Sequence, residues 1–131
     1  MNEPQLQLPT ALHVCESKGR GRGVFALRSV QPGELLERAP VLVVPRQQVA
    51  PLRGTLLDDY WFLWDEQHIA CALGWASLYN HACPANASFT CDPASRTITF
   101  VAVRGIRAGE EVTNNYQGAP DDPTPVWFPT V

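Results

Sequence analysis

Asn80-His81-Ala82-Cys83-Pro84-Ala85-Asn86 gathers two asparagines, a histidine and a cysteine within seven residues of an otherwise apolar stretch. A buried asparagine needs several hydrogen-bond partners, so each one here ties a loop or holds a polar ligand. His81 and Cys83 are metal-ligand types, but no second ligand pair sits at metal spacing, and no metal is expected. Read alone, the segment is a hydrogen-bonded structural loop.

Two further stretches carry chemistry. In Lys18-Gly19-Arg20-Gly21-Arg22-Gly23-Val24-Phe25-Ala26 the glycines alternate. That lets backbone pass close to a ligand with amides free to point at it. A dinucleotide fingerprint would need a strand before it, a helix after it and an acidic residue about 20 positions on. Val24 to Leu27 reads as a strand, so a nucleotide-dependent oxidoreductase is excluded. By itself the glycine run is equally a plain turn. In Gly109-Glu110-Glu111-Val112-Thr113-Asn114-Asn115-Tyr116 a Gly-Glu turn leads into a short strand ending on tyrosine. Such a tyrosine, taken singly, is a core ring with its hydroxyl at the rim.

Together and in this order the three stretches resemble the SET-domain lysine methyltransferases. The residues that carry the resemblance are Gly21 to Ala26, then Asn80-His81 with Cys83 and Asn86, then Gly109 to Thr113 ending on Tyr116; it runs from about Leu12 to Gly118. The resemblance implies a mainly β fold, with small sheets around a knot-like C-terminal crossing and one or two short helices. It implies methyl transfer from S-adenosyl-L-methionine, released as S-adenosyl-L-homocysteine, to a lysine ε-amine of a protein or peptide, histones included. It puts Gly21, Arg22 and Gly23 beside the cofactor's methionine moiety. It puts Asn80 at the cofactor's amino-acid end, the His81 backbone at its adenine, and Asn86 in the supporting loop. Tyr116 becomes the catalytic residue, between the cofactor and the lysine channel. Tyr79, Asn114 and the tail aromatics Trp127 and Phe128 line or cover that channel. Three positions depart from the family pattern. The usual Pro-Asn pair is Pro84-Ala85-Asn86, a common Asp is Asn115, and Asn114 stands where an aromatic often governs how many methyls are added. The shifted proline and Asn114 favour a second reading, a catalytically weak or inactive binding module on the same fold.

The implied reaction is displacement at a sulfonium methyl by a neutral amine. A free lysine pKa of ~10.4 makes deprotonation at pH 7 cost about 4–5 kcal/mol. An apolar channel and a neighbouring cation both lower that pKa. Tyr116 then acts by position, orienting the amine in line with the methyl.

The elements that must hold these residues are short. Apolar runs broken by Gly and Pro (Leu12 to Cys15, Val24 to Leu27, Leu35 to Pro45, Ile98 to Val103) read as strands. Arg46 to Leu57 is the best helical candidate despite Pro51 and Gly54, and Ala72 to His81 has room for one helical turn. Tyr60 to Trp64 reads as a strand or core-facing turn, and Tyr60, Trp61, Trp64 and Trp75 as core. Arg28 to Glu34 echoes Arg104 to Glu110, two strand–turn–strand corners of the same chemistry. Residues 1–10 read as a loose lead-in, 11–118 as the domain, and 119–131 as an aromatic tail closing the site.

The chain has 131 residues, 45% of them apolar, enough for one core without staples. A net charge of −3 argues against nucleic acid as the main partner and is compatible with a lysine-rich one. Its four cysteines read as buried small hydrophobes of a reducing compartment, and His13 and His68 as structural residues without partners. With no apolar run of ~18 residues and no signal segment, an intracellular protein off the membrane is expected. So small a domain is compatible with a homodimer that completes the substrate groove.

Overall fold

The computed structural model describes residues 5–125. Nine strands, β1 Leu12–Ser17, β2 Gly21–Ala26, β3 Leu35–Pro45, β4 Phe62–Leu63, β5 His68–Ala72, β6 Asn80–His81, β7 Ala87–Asp92, β8 Thr97–Ala102 and β9 Glu111–Asn114, form two sheets among the described residues. The first is ordered β1-β2-β9-β6, the second β4-β5-β3-β8-β7. The fold is mainly β, as the apolar runs between turn residues require.

The core lies between the sheets. Val24, Leu36, Ala39, Ile98, Phe100 and Val112 are all at most 1% exposed. Strand alternation supplies most of this, with Ile98, Phe100 and Ala102 of β8 turned inward. β3 departs from alternation. A register shift between Leu35 and Glu37, where it pairs with β8, buries the consecutive residues Leu36 and Glu37 together.

The expected helix over Arg46 to Leu57 is broken into three pieces. α1 covers Arg46–Val49, and single 3-10 turns cover Ala50–Leu52 and Leu56–Asp59. Pro51 and Gly54 (φ 80°) interrupt the hydrogen-bond ladder. Nor is Ala72 to His81 helical. The buried Glu37 carboxylate takes the Trp75 N–H at 2.9 Å, and Ser77 Oγ bonds the Ala72 carbonyl, so the segment is a side-chain-tied turn.

Tyr60 is not core but 39% exposed, while Trp64, Trp75 and Phe62 pack on the core from its edge. None of the cysteines is fully buried, and Cys83 is exposed. His68 has a partner, Asp65 Oδ1 at 2.8 Å. The sequence echo is a structural one. Arg28 pairs with Glu34 and Arg104 with Glu110, while Val30 and Ile106 bridge the two corners. Chain on either side of the expected domain bounds is tied down, since Arg38 Nη1 bonds the Gln5 carbonyl and Ala85 N–H bonds the Pro120 carbonyl. No described helix is long and apolar enough to cross a membrane.

Candidate functional site

β9 joins the three stretches singled out in the sequence. One edge pairs antiparallel with β2 (Val24↔Val112, Phe25↔Glu111), the other parallel with β6 (Asn80↔Thr113, His81↔Asn114). Parallel neighbours need a long crossover. Here the crossover makes the C-terminal segment run beside the 79–86 loop. Asn86 fastens that loop. Its Nδ2 donates to the Glu111 carbonyl and its Oδ1 accepts the Thr113 N–H, both at 2.8 Å. Asn115 Nδ2 in turn holds the Asp122 carbonyl at 2.8 Å. The shifted proline therefore leaves Asn86 fully engaged as a loop tie.

Glu111 sits where the motifs meet. One carboxylate oxygen accepts from Ser17 Oγ at 2.8 Å, the other from Asn80 Nδ2 at 2.7 Å. Asn80 Nδ2 also donates to the Arg22 carbonyl at 3.0 Å. A Cβ at Gly23 would meet Glu111 Oε2 and, at 2.8 Å, Asn80 Nδ2, so a side chain there would push the two apart. Gly21 is needed for another reason, its φ of 73°. Beside this cluster, Val14, Cys15, Glu16, Gly21 and Arg22 line an open depression of about 520 Å³.

Tyr116 follows β9 by two residues. Its hydroxyl donates to the Tyr79 carbonyl at 2.8 Å, and its N–H donates to His81 Nδ1 at 3.1 Å. The two rings lie 5.3 Å apart. Burial chiefly, with the nearby Tyr60 and Glu111 outweighing the opposing Arg20, pushes the Tyr116 phenol up to about 12. The phenol therefore keeps its proton at neutral pH. Burial and then Arg20 hold the His81 imidazole below its ordinary value, in keeping with Nδ1 acting as acceptor. Arg20 Nη1 also donates to the His81 carbonyl at 3.1 Å.

The structure thus brings together Gly21, Arg22, Gly23, Asn80, His81 and Tyr116. Tyr79 sits differently from a channel wall. Its ring is 1% exposed and stacks on Phe100 with centroids 4.4 Å apart, and its hydroxyl donates to Glu37 Oε1 at 2.8 Å. Its carbonyl accepts the Tyr116 hydroxyl. Asn114 is 1% exposed and its buried Oδ1 has no hydrogen-bond partner. Trp127 and Phe128 lie outside the described residues. Sequence reasoning missed Ser17, Arg20 and Glu111. Glu111 stood inside a quoted motif next to Glu110, and the corner echo offered a way to separate them, because Glu110 is the residue matched to Glu34. No described group of three His, Cys, Asp or Glu side chains is placed to hold a metal ion.

The SET domain family model matches residues 21–117. A Schizosaccharomyces pombe protein named histone-lysine N-methyltransferase, H3 lysine-37 specific, is 29% identical over 117 residues, covering 88% of this chain and 78% of that protein. A crystal structure of a Plasmodium falciparum histone methyltransferase candidate superposes with a TM-score of 0.65 at 23% identity, over 81% of this chain and 92% of that one, a likeness of fold. Because that family match covers all three motifs and the strands that join them, the chain belongs to the SET-domain family.

Proposed function

We propose that this protein is a protein-lysine N-methyltransferase using S-adenosyl-L-methionine, with Tyr116 as its catalytic residue. The observation that carries the reading is the meeting of Gly21–Gly23, Asn80, His81 and Tyr116 around the β6–β9 pairing, in a SET-domain chain. The name of the fission-yeast relative supports lysine as the acceptor and a histone-type substrate. The reading places the protein inside the cell, with a lysine-rich protein as its partner.

The residues present fit the cofactor. Gly21 is exposed with open space around it, Gly23 lets the Glu111–Asn80 contact form behind it, and Asn80 Oδ1 takes no hydrogen bond among the described residues, so it is open to a donor. When bound, S-adenosyl-L-methionine supplies an electrophilic methyl on a positively charged sulfur. Asn80 and the Gly21–Gly23 segment would hold it, assisted by the His81 main chain. The neutral Tyr116 phenol spends its proton on the Tyr79 carbonyl. Its oxygen, an acceptor as well as a donor, would accept an N–H of the substrate amine and so direct that amine's own lone pair. A phenol titrating near 12 is no general base at pH 7. Deprotonation therefore falls to water, eased by burial of the amine. Catalysis by positioning is the larger part of the rate.

The test is incubation of the chain with isotopically labelled cofactor and mixed histones, followed by mass spectrometry. Labelled methyl on lysine supports the enzyme. Cofactor binding without transfer to any protein lysine supports the binding module instead, the reading favoured by Asn114 in place of an aromatic and by the shifted Pro84.

A further inference from the structure

We infer that Glu111 is a positioning residue that locks the Asn80 amide with its oxygen presented, so that the site selects a hydrogen-bond donor such as the α-ammonium of the cofactor. The inference rests on the proposed cofactor site and goes one step beyond it. An asparagine amide can rotate by half a turn and exchange its oxygen for its NH2 at little intrinsic cost. Which end faces a ligand is decided by what holds the other end. Here Asn80 Nδ2 has two partners, Glu111 Oε2 at 2.7 Å and the Arg22 carbonyl at 3.0 Å. Both are acceptors only. Rotation would set Asn80 Oδ1 against two lone-pair-bearing oxygens and lose both bonds, one of them to a charged group. Oδ1 is therefore fixed as an acceptor, and among the described residues nothing donates to it.

Glu111 is itself held for this task. Ser17 is 4% exposed and donates Oγ to Oε1 at 2.8 Å, which leaves Oε2 directed at Asn80. Gly23 makes room, since any side chain there would occupy the contact between Glu111 and Asn80. The glycine run, the Asn80 loop and the Gly-Glu strand thus share one device. A locked acceptor discriminates between the two ends of an amino acid. It bonds an ammonium and repels a carboxylate, as a rotatable amide would not.

The dissociation constant of S-adenosyl-L-homocysteine, read by isothermal titration, tests this with melting temperature as control. Glu111→Ala weakens binding about tenfold, the scale of one charge-assisted hydrogen bond. Glu111→Gln keeps affinity within about threefold, because its amide oxygen still faces Asn80 while Ser17 Oγ turns to accept from its NH2. Asn80→Ala alone is weak, and adding Glu111→Ala to it costs nothing more, because the lock has nothing left to hold. Losses that multiply in the double variant, or an unchanged constant in a folded Glu111→Ala, overturn the inference. A wild-type chain that binds no cofactor overturns the function as well, so the two failures are told apart. Should Glu111→Ala not fold, Asn80→Asp replaces it. That change sets two carboxylates together and weakens binding, and Glu111→Gln in the same chain restores at least part of it. Absence of restoration with both variants folded also overturns the inference.

Discussion

Tyr116 shows how burial decides a residue's chemistry. A free phenol titrates at ~10, but this one is pushed up to about 12, mainly by desolvation. It remains a neutral donor to the Tyr79 carbonyl throughout the working range. Tyr116→Phe is expected to lower kcat by about 100-fold or more, the scale of lost positioning, while cofactor affinity stays within a few-fold. Steady-state kinetics with a peptide acceptor reads this; a fully active phenylalanine variant removes Tyr116 from the mechanism. The pH profile gives a second check. With so high a pKa, kcat is expected to show no falling limb at pH ~10, where an unperturbed tyrosine would ionise. A limb there that disappears in Tyr116→Phe contradicts a buried, neutral phenol.

At the scale of elements, β3 supports the site from behind. Its bulge turns Glu37 inward, where the carboxylate accepts from Trp75 N–H and Tyr79 Oη–H. The 74–79 turn is thereby held on the core, and the Tyr79 carbonyl with it. Tyr79→Phe leaves Glu37 Oε1 without its bond and is expected to cost about 1–3 kcal/mol in urea unfolding. A loss near zero would mean that water takes the hydroxyl's place. Burial, outweighing both hydrogen bonds, holds the Glu37 carboxyl above its ordinary range. The folded chain then keeps this proton to higher pH than the unfolded chain does. Stability from the group is complete below the unfolded pKa and declines as pH rises through the folded one. Glu37→Gln, which cannot ionise, is expected to flatten that decline as pH rises above the ordinary carboxyl range. Parallel stability curves for the two proteins would show that Glu37 does not titrate differently on folding. Strands were legible as Val- and Ile-rich runs between turns, and β3 matches its sequence bounds, Leu35–Pro45. The helix was not. Its apolar spacing over Arg46 to Leu57 promised one element, but Pro51 and Gly54 each stop the backbone ladder, and local punctuation prevailed over periodicity.

At the scale of the molecule, two adjacent strand pairings make one site out of chain segments about ninety residues apart. The types of residue involved were legible only as an ordered set, because each stretch alone reads equally as a turn, a loop tie or a core ring. Their partners were not legible. Ser17, Arg20 and Glu111 look like ordinary surface residues until β9 lies between β2 and β6. Tyr79 is the opposite case, because no local pattern reveals that its ring packs on Phe100 and its hydroxyl bonds Glu37. Gly23→Ala puts a methyl into the Glu111–Asn80 contact and is expected to weaken cofactor binding by tenfold or more. Equal affinity in a folded alanine variant would show that this contact does not shape the site.

Three distant stretches are proposed to hold one ligand against one phenol. The most direct measurement is amide NMR during titration with S-adenosyl-L-homocysteine. Saturable shifts concentrated at Gly21–Gly23, Asn80–His81 and Tyr116 are expected, with little change at the Arg28–Glu34 corner on the same chain. No saturable shifts, or shifts gathered elsewhere, would contradict the proposal.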